Sequence, residues 1–162
     1  MRLTRISLVL AAAFVLGAVN LTFAQAAPTP PPQAAAPAKP ALAFANDAGL
    51  VIFYIKPDKT ADFEDLMAKL KDGLSKMDAP EAKQQAASMK LFKNPVAAGA
   101  TVAIYVLLAD PAVKNVEYWF LPILYKAYPN DGQALLTKWQ DAKAAAPAQP
   151  TIFDMTQLIK FQ

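Results

Sequence analysis

The sequence predicts an α+β domain in which a four-stranded antiparallel sheet carries helices on one face. Three observations point there. Residues 50–55 (LVIFYI) and 101–109 (TVAIYVLLA) are apolar without interruption and closed by proline, as buried central strands are. Two further runs, 88–93 (SMKLFK) and 151–161 (TIFDMTQLIKF), mix polar and apolar residues in partial alternation, as strands with one wet face do. Between the strands lie segments whose apolar residues recur at helical spacing.

The first strand opens after Gly49 and closes at Lys56-Pro57. In the helix that follows, Thr60 is the expected N-cap, and Asp62, Glu64 and Asp65 suit the positive first turn. Phe63, Leu66, Met67, Leu70, Leu74 and Met77 form its apolar stripe. Asp78-Ala79-Pro80-Glu81 resembles a capping box with proline in the first turn, so a short helix is expected through about residue 87. The second strand covers 88–93, Asn94-Pro95 and Gly99 mark a loop, and the third strand covers 101–109. Residues 116–128 (VEYWFLPILYKAY) are apolar almost all round, and Pro122 either starts a helix there or kinks one. Asn130-Asp131-Gly132 opens a further helix that carries Leu135, Leu136 and Trp139. The last strand is expected over 151–161.

The N-terminal region reads differently. A positive start (Met1 to Arg5), an apolar run over 6–19 and a small-x-small site at Ala24-Gln25-Ala26 describe a secretory signal peptide over residues 1–26. Read from Ile6 through Ala27 the segment is almost long enough to span a bilayer, but Asn20, Thr22 and Gln25 interrupt its second half, which favours a cleaved leader over an uncleaved membrane anchor. Residues 27–40 are almost entirely proline and alanine, so 27–47 is expected to be a disordered spacer and 48–162 the folded domain. Export to the periplasm or the medium follows, with no membrane span left after cleavage. Tethering by an uncleaved leader is the alternative.

Composition excludes more than it suggests. The chain has 16 basic and 13 acidic residues, but Arg2 and Arg5 belong to the leader, leaving 14 against 13. The lysines are scattered, which argues against nucleic acid as a partner. There is no cysteine, so neither a disulfide nor a lipid-bearing thiol is available. Histidine is absent, as is arginine after the leader, which removes the commonest general base near neutrality, the commonest zinc ligand and the planar carboxylate clamp. Neither a cofactor nor a metal is expected.

The element order β-α-β-β-α-β is the split βαβ, or ferredoxin-like, plan. Its helices cover one sheet face, yet the two central strands are apolar on both, so a second copy packed face to face is expected. The strand LVIFYIKP, the helix DFEDLMAKL, the strand TVAIYVLLADP and the closing TQLIKF resemble the dimeric α/β-barrel superfamily over roughly residues 48–162. The chain looks most like the uncharacterised exported bacterial members of that group. The resemblance implies a homodimer and one of three activities: a cofactor-free monooxygenase, a haem protein, or a binder of ligands or partners. The haem branch commonly holds iron through histidine, which this chain lacks. No polar constellation of the monooxygenase branch can be matched residue by residue.

Four features could carry function. Tyr118, Trp119, Phe120, Tyr125 and Tyr128 could line a pocket for a small apolar or aromatic ligand, or could form helix core and dimer interface. Tyr54 and Tyr105, on the central strands, could orient a ligand if both point into a barrel, or could pack with bonded hydroxyls. Asp154 is the one candidate for a catalytic base: burial would raise its pKa, whereas an edge position would leave it in water. Lys56 could pair with it if the first and last strands are neighbours. The reading that follows is an exported, non-catalytic ligand-binding or interaction protein that works as a homodimer. The rivals are a cofactor-independent monooxygenase-like or isomerase-like enzyme and a structural protein of the cell envelope. N-terminal sequencing of exported protein is expected to begin near Ala27, and a start at Met1 or Arg2 would refute the leader.

Overall fold

The computed structural model describes residues 39–95 and 100–161, and the expected leader and most of the spacer lie outside them. Four strands, β1 (Ala48–Ile55), β2 (Met89–Lys93), β3 (Ala103–Ala109) and β4 (Thr151–Met155), form one antiparallel sheet in the order β2-β3-β1-β4. Four α-helices connect them: α1 (Thr60–Lys76) and α2 (Pro80–Ser88) between β1 and β2, α3 (Phe120–Ala127) and α4 (Gly132–Ala142) between β3 and β4. The sheet is open, with β2 and β4 at its edges.

Side chains alternate across a strand, so register decides what is covered. Along β1, Val51, Phe53 and Ile55 are buried while Leu50, Ile52 and Tyr54 are half-buried. β3 repeats the pattern, with Ala103, Tyr105, Leu107 and Ala109 buried and Ile104, Val106 and Leu108 half-buried. Phe53 pairs with Tyr105 and Ile52 with Val106, which puts all the buried residues on the face that the helices cover. There Phe53 meets α1 through Phe63 (ring centroids 5.1 Å apart), α3 through Phe120 (5.8 Å) and α4 through Trp139 (5.9 Å). The helix stripe of α1 lies as its spacing requires, with Phe63, Leu66, Met67, Leu70 and Leu74 buried and Met77 packed at its end.

Helix ends differ from the expected caps. α1 follows a 3-10 turn over Pro57–Lys59, so its N-cap is Lys59 and Thr60 is the first helical residue. α2 starts at Pro80 with Ala79 as N-cap, and neither helix uses a side-chain capping bond. Proline at the first helical position needs no N–H partner and supplies a helical φ, which makes a capping box dispensable. Pro122 is the third residue of α3 and kinks nothing, because the first turn of a helix has no N–H bonds to lose.

The last strand is shorter than expected. β4 pairs with β1 only from Thr151 opposite Ile52 to Met155 opposite Ala48, where β1 begins, so beyond Met155 there is no backbone to pair with. Asp47 closes the ladder: its N–H donates to the Met155 carbonyl (3.0 Å) and its carboxylate accepts from the Gln157 N–H (3.0 Å).

At the other end, the domain takes in more chain than a start at residue 48 allows. Phe44 is buried, 4.7 Å from the Tyr118 ring, and packs so closely on Gly49 that a Cβ there would fall 2.1 Å from its ring atoms. Glu117 holds the approach, its carboxylate accepting from the N–H groups of Ala41 (2.5 Å), Leu42 (3.0 Å) and Trp119 (2.7 Å). The alanine-rich composition of this stretch concealed a single large aromatic with a glycine-shaped seat.

Truncating Phe44 to alanine is expected to destabilise the domain by about 3 kcal/mol or more, read from urea unfolding. Gly49→Ala should destabilise by displacing the same ring, and should cost little further in the Phe44→Ala background. Additive effects would mean that the two residues act independently.

Candidate functional site

The sheet face opposite the helices is a chemically distinctive surface of the described residues. From β1 and β3 it presents Leu50, Ile52, Tyr54, Ile104, Val106 and Leu108, all half-buried. The register adds Phe92 opposite Val106 and Phe153 opposite Leu50, which are 52% and 47% exposed. Its polar members include Lys90, which pairs with Leu108, and a hydroxyl pair at one end where Tyr54 and Thr151 lie 3.1 Å apart. A contiguous apolar face of this kind is what soluble proteins keep for contact with something else.

A groove of about 480 Å3 lies on the helical side between α1, α2 and the β2 edge, floored by Met67, Leu70, Leu74, Met89, Leu91 and Leu107. Glu64 stands at its mouth. It accepts hydrogen bonds from the Tyr105 hydroxyl (2.5 Å) and the Lys93 ammonium (2.8 Å), while Lys93 lies 5.4 Å from the Tyr105 ring centroid. The Lys93 bond and then the Tyr105 bond hold the Glu64 carboxyl below its ordinary range. Burial pushes the Tyr105 phenol up, and the Glu64 bond pushes Lys93 up. At neutral pH each of the three is therefore held in its ordinary charge state, and the cluster binds itself together rather than waiting for a proton. A second cleft of about 790 Å3, between residues 39–41, the end of α1, α2, the 114–117 loop and α3, has an apolar floor that includes Met77, Val116 and Ile123, with Lys39 and Lys126 among its lining residues.

The residues singled out from sequence fall in different places. Tyr54 faces the open side and Tyr105 the helices, so the two hydroxyls do not share a pocket. Tyr118 is buried beneath Phe44, its hydroxyl accepting from the Val113 N–H at 2.8 Å. Phe120 belongs to the core and Trp119, half-buried, packs against it, 5.1 Å and 5.9 Å from Trp139 respectively. Tyr125 is 36% exposed against Gly132, and Tyr128 donates to Asp72 (2.5 Å) with Lys69 and Lys76 over its ring. None of these aromatic residues lines the groove or the cleft.

Asp154 occupies the exposed edge position. Its carboxylate accepts from the N–H groups of Ala45 (2.9 Å) and Asn46 (3.0 Å), and those bonds, Ala45 first, lower its pKa. A carboxylate so held is a weaker base, the opposite of what burial in an apolar strand would produce. Strands β1 and β4 are indeed neighbours, but Asp154 pairs with Gly49 near the start of β1, whereas Lys56 lies past its end and donates to the Asp141 carbonyl (2.7 Å). Sequence reasoning did not find the Glu64–Lys93–Tyr105 cluster, because its members come from three elements and no spacing joins them.

Among the described residues no group of three metal-ligating side chains occurs, and no helix is long and apolar enough to cross a membrane. No family model, curated protein or solved structure matches the chain.

Acid and base act on this structure in opposite senses with a plateau between. Glu64, Asp65, Asp72 and Asp154 sit below their ordinary values, Asp65 through Lys138 and Asp72 through Lys76. Their stabilisation is present above the unfolded carboxyl range and is lost as pH falls through the folded values. Tyr105 and Tyr118, raised by burial, and Tyr128, Lys76 and Lys93, raised by their carboxylate partners, are stabilising below their unfolded values and cease to be so as pH rises through the folded ones. With no histidine or cysteine between them, Tm is expected to be flat from about pH 6 to 8.5, falling below about pH 4.5 and above about pH 10. A Tm step near pH 6.5 in thermal melts would contradict this.

Proposed function

We propose that this chain is an exported, non-catalytic interaction protein that acts as a pair, two copies closing their open sheet faces on each other. The observation that carries the proposal is the apolar face of β1 and β3, centred on Ile52 and Val106 and left uncovered by the helices. The antiparallel order β4-β1-β3-β2, with helices in both crossovers, supports a ferredoxin-like plan, on which such pairing yields a dimeric α/β barrel. Export, to the periplasm or the medium, rests on residues 1–26. A small apolar or aromatic compound held between the two faces is compatible with the Tyr54–Thr151 hydroxyl pair, which would orient its polar end. Catalysis gains no support from the titratable groups, since Glu64, Tyr105 and Asp154 are each engaged by partners.

Light scattering on the exported chain is expected to give twice the monomer mass, and native mass spectrometry of that species reports any compound carried with it. Val106→Lys places a charge at the centre of the face and should weaken pairing by roughly 100-fold or more, the scale of an unpaired buried charge. The variant should keep its circular dichroism, because Val106 lies outside the helix-covered core. A monomeric parent chain would overturn the proposal.

A further inference from the structure

The cleft between residues 39–41, the end of α1, α2, the 114–117 loop and α3 takes no part in the pairing of sheet faces, since helices and loops alone bound it. Its floor is apolar, with Leu74, Met77, Val116 and Ile123. Glu117 ties one wall to the next: its carboxylate accepts from the N–H groups of Ala41 and Leu42, and its carbonyl accepts from the Gln85 side chain (2.7 Å). A cleft braced in this way needs little ordering when a ligand enters.

Gln85 is the unusual residue of the lining. It sits on α2, is 3% exposed, and donates from Nε2 to the Glu117 carbonyl. A carbonyl only accepts, so the amide nitrogen must face it and the amide oxygen is turned away. That oxygen has no hydrogen-bond partner among the described residues. No side-chain oxygen or nitrogen sealed from water among them lacks a partner, so Gln85 Oε1 keeps access to the cleft that the residue lines. An acceptor left open on a buried residue is satisfied by a ligand that brings a donor. The rim adds charge. Lys39 and Lys126 are exposed and form no ion pair among the described residues. Lys114 is taken up by the Ala45 carbonyl and the Glu117 carboxylate by backbone amides, which leaves Glu81 as the one unengaged acid of the lining. We propose that this cleft binds a small N-acyl amino acid. Its acyl chain lies on the apolar floor, its amide N–H donates to Gln85 Oε1, and its carboxylate pairs with Lys39 and Lys126. One end of such a molecule carries both the donor and the anion, and the rest is apolar, as the lining requires. The site belongs to each chain singly and does not depend on pairing.

The probe is N-decanoylglycine, kept below its micelle concentration and titrated calorimetrically into the exported chain. One molecule per chain is expected, with a Kd of roughly 0.1 mM. N-decanoylsarcosine, whose amide nitrogen carries a methyl group in place of hydrogen, is expected to bind about fivefold more weakly. In Gln85→Met that preference should vanish, and the N-methyl comparison reads the same bond in the unaltered chain whether or not the variant folds. Lys39→Gln combined with Lys126→Gln, both at exposed positions, should weaken N-decanoylglycine about tenfold with Tm unchanged. Val106→Lys alters only the sheet face and should leave binding as it is. A chain that does not bind N-decanoylglycine, or that binds it regardless of N-methylation and of the two lysines, would overturn the proposal. So would loss of binding in Val106→Lys, which would put the compound between the sheet faces instead.

Discussion

The covered half of this domain depends on one side chain, Phe53. Its ring is 1% exposed and lies within about 6 Å of the rings of Phe63, Trp119, Phe120 and Trp139. Those rings come from α1, from the turn before α3, from α3 itself and from α4, so three helices are registered against a single point. The geometry is mostly tilted or edge-on, which directs ring edges at ring faces. A sheet with only two central strands has few positions that can reach every helix above it. Phe53 stands on β1, one of the two inner strands, and the alternation of β1 then fixes Ile52 and Tyr54 on the opposite, uncovered side. Filling one face of this sheet and leaving the other bare are therefore one constraint.

Much of the architecture was legible in the sequence because it is written in periodicity. The stripe from Phe63 to Leu74 and the uninterrupted apolar runs of β1 and β3 needed no tertiary information to be read. What could not be read was relational. The end of β4 is set by where β1 begins, and Asp154 by the backbone amides of Ala45 and Asn46, neither of which is signalled by the residues around it. The seat of Phe44 over Gly49 is of the same kind: an aromatic among alanines looks like part of a spacer until the glycine it covers is placed. The candidate site divides in the same way. The bare face follows from apolarity on both sides of the strands, whereas the separation of Tyr54 from Tyr105 follows from their positions, one residue out of step across the β1–β3 ladder.

Charge plays a secondary part in holding this fold. The ion pairs Lys59–Asp62, Lys76–Asp72, Lys93–Glu64 and Lys138–Asp65 have side chains between 35% and 61% exposed. Pairs this wet contribute about 0–1 kcal/mol each and fade with salt. Lys138 draws α4 toward α1 through Asp65, and Lys93 draws β2 toward α1 through Glu64, so these contacts choose among orientations that the aromatic core already permits. With no cysteine there is no disulfide to hold this domain, and its shape rests chiefly on packing, which takes the form of dense aromatic contact around Phe53.

The N-terminal tie gives the domain a mechanical polarity. Any pull arriving through the chain at Lys39 meets Glu117 first, because that carboxylate grips the amides of Ala41 and Leu42, and then the Phe44 ring wedged over Gly49. Beyond them the load meets the Ala45 and Asn46 amides held by Asp154 and the bond from Asp47 to the Met155 carbonyl before it reaches the hydrogen bonds of β1. The Leu42 carbonyl, which accepts from the Tyr118 N–H, shares that load with the segment leading into α3. Tension would thus be spent on a short peelable strap before it reached the strand on which the core is built, so a chain held at one end could be tugged without its sheet coming apart.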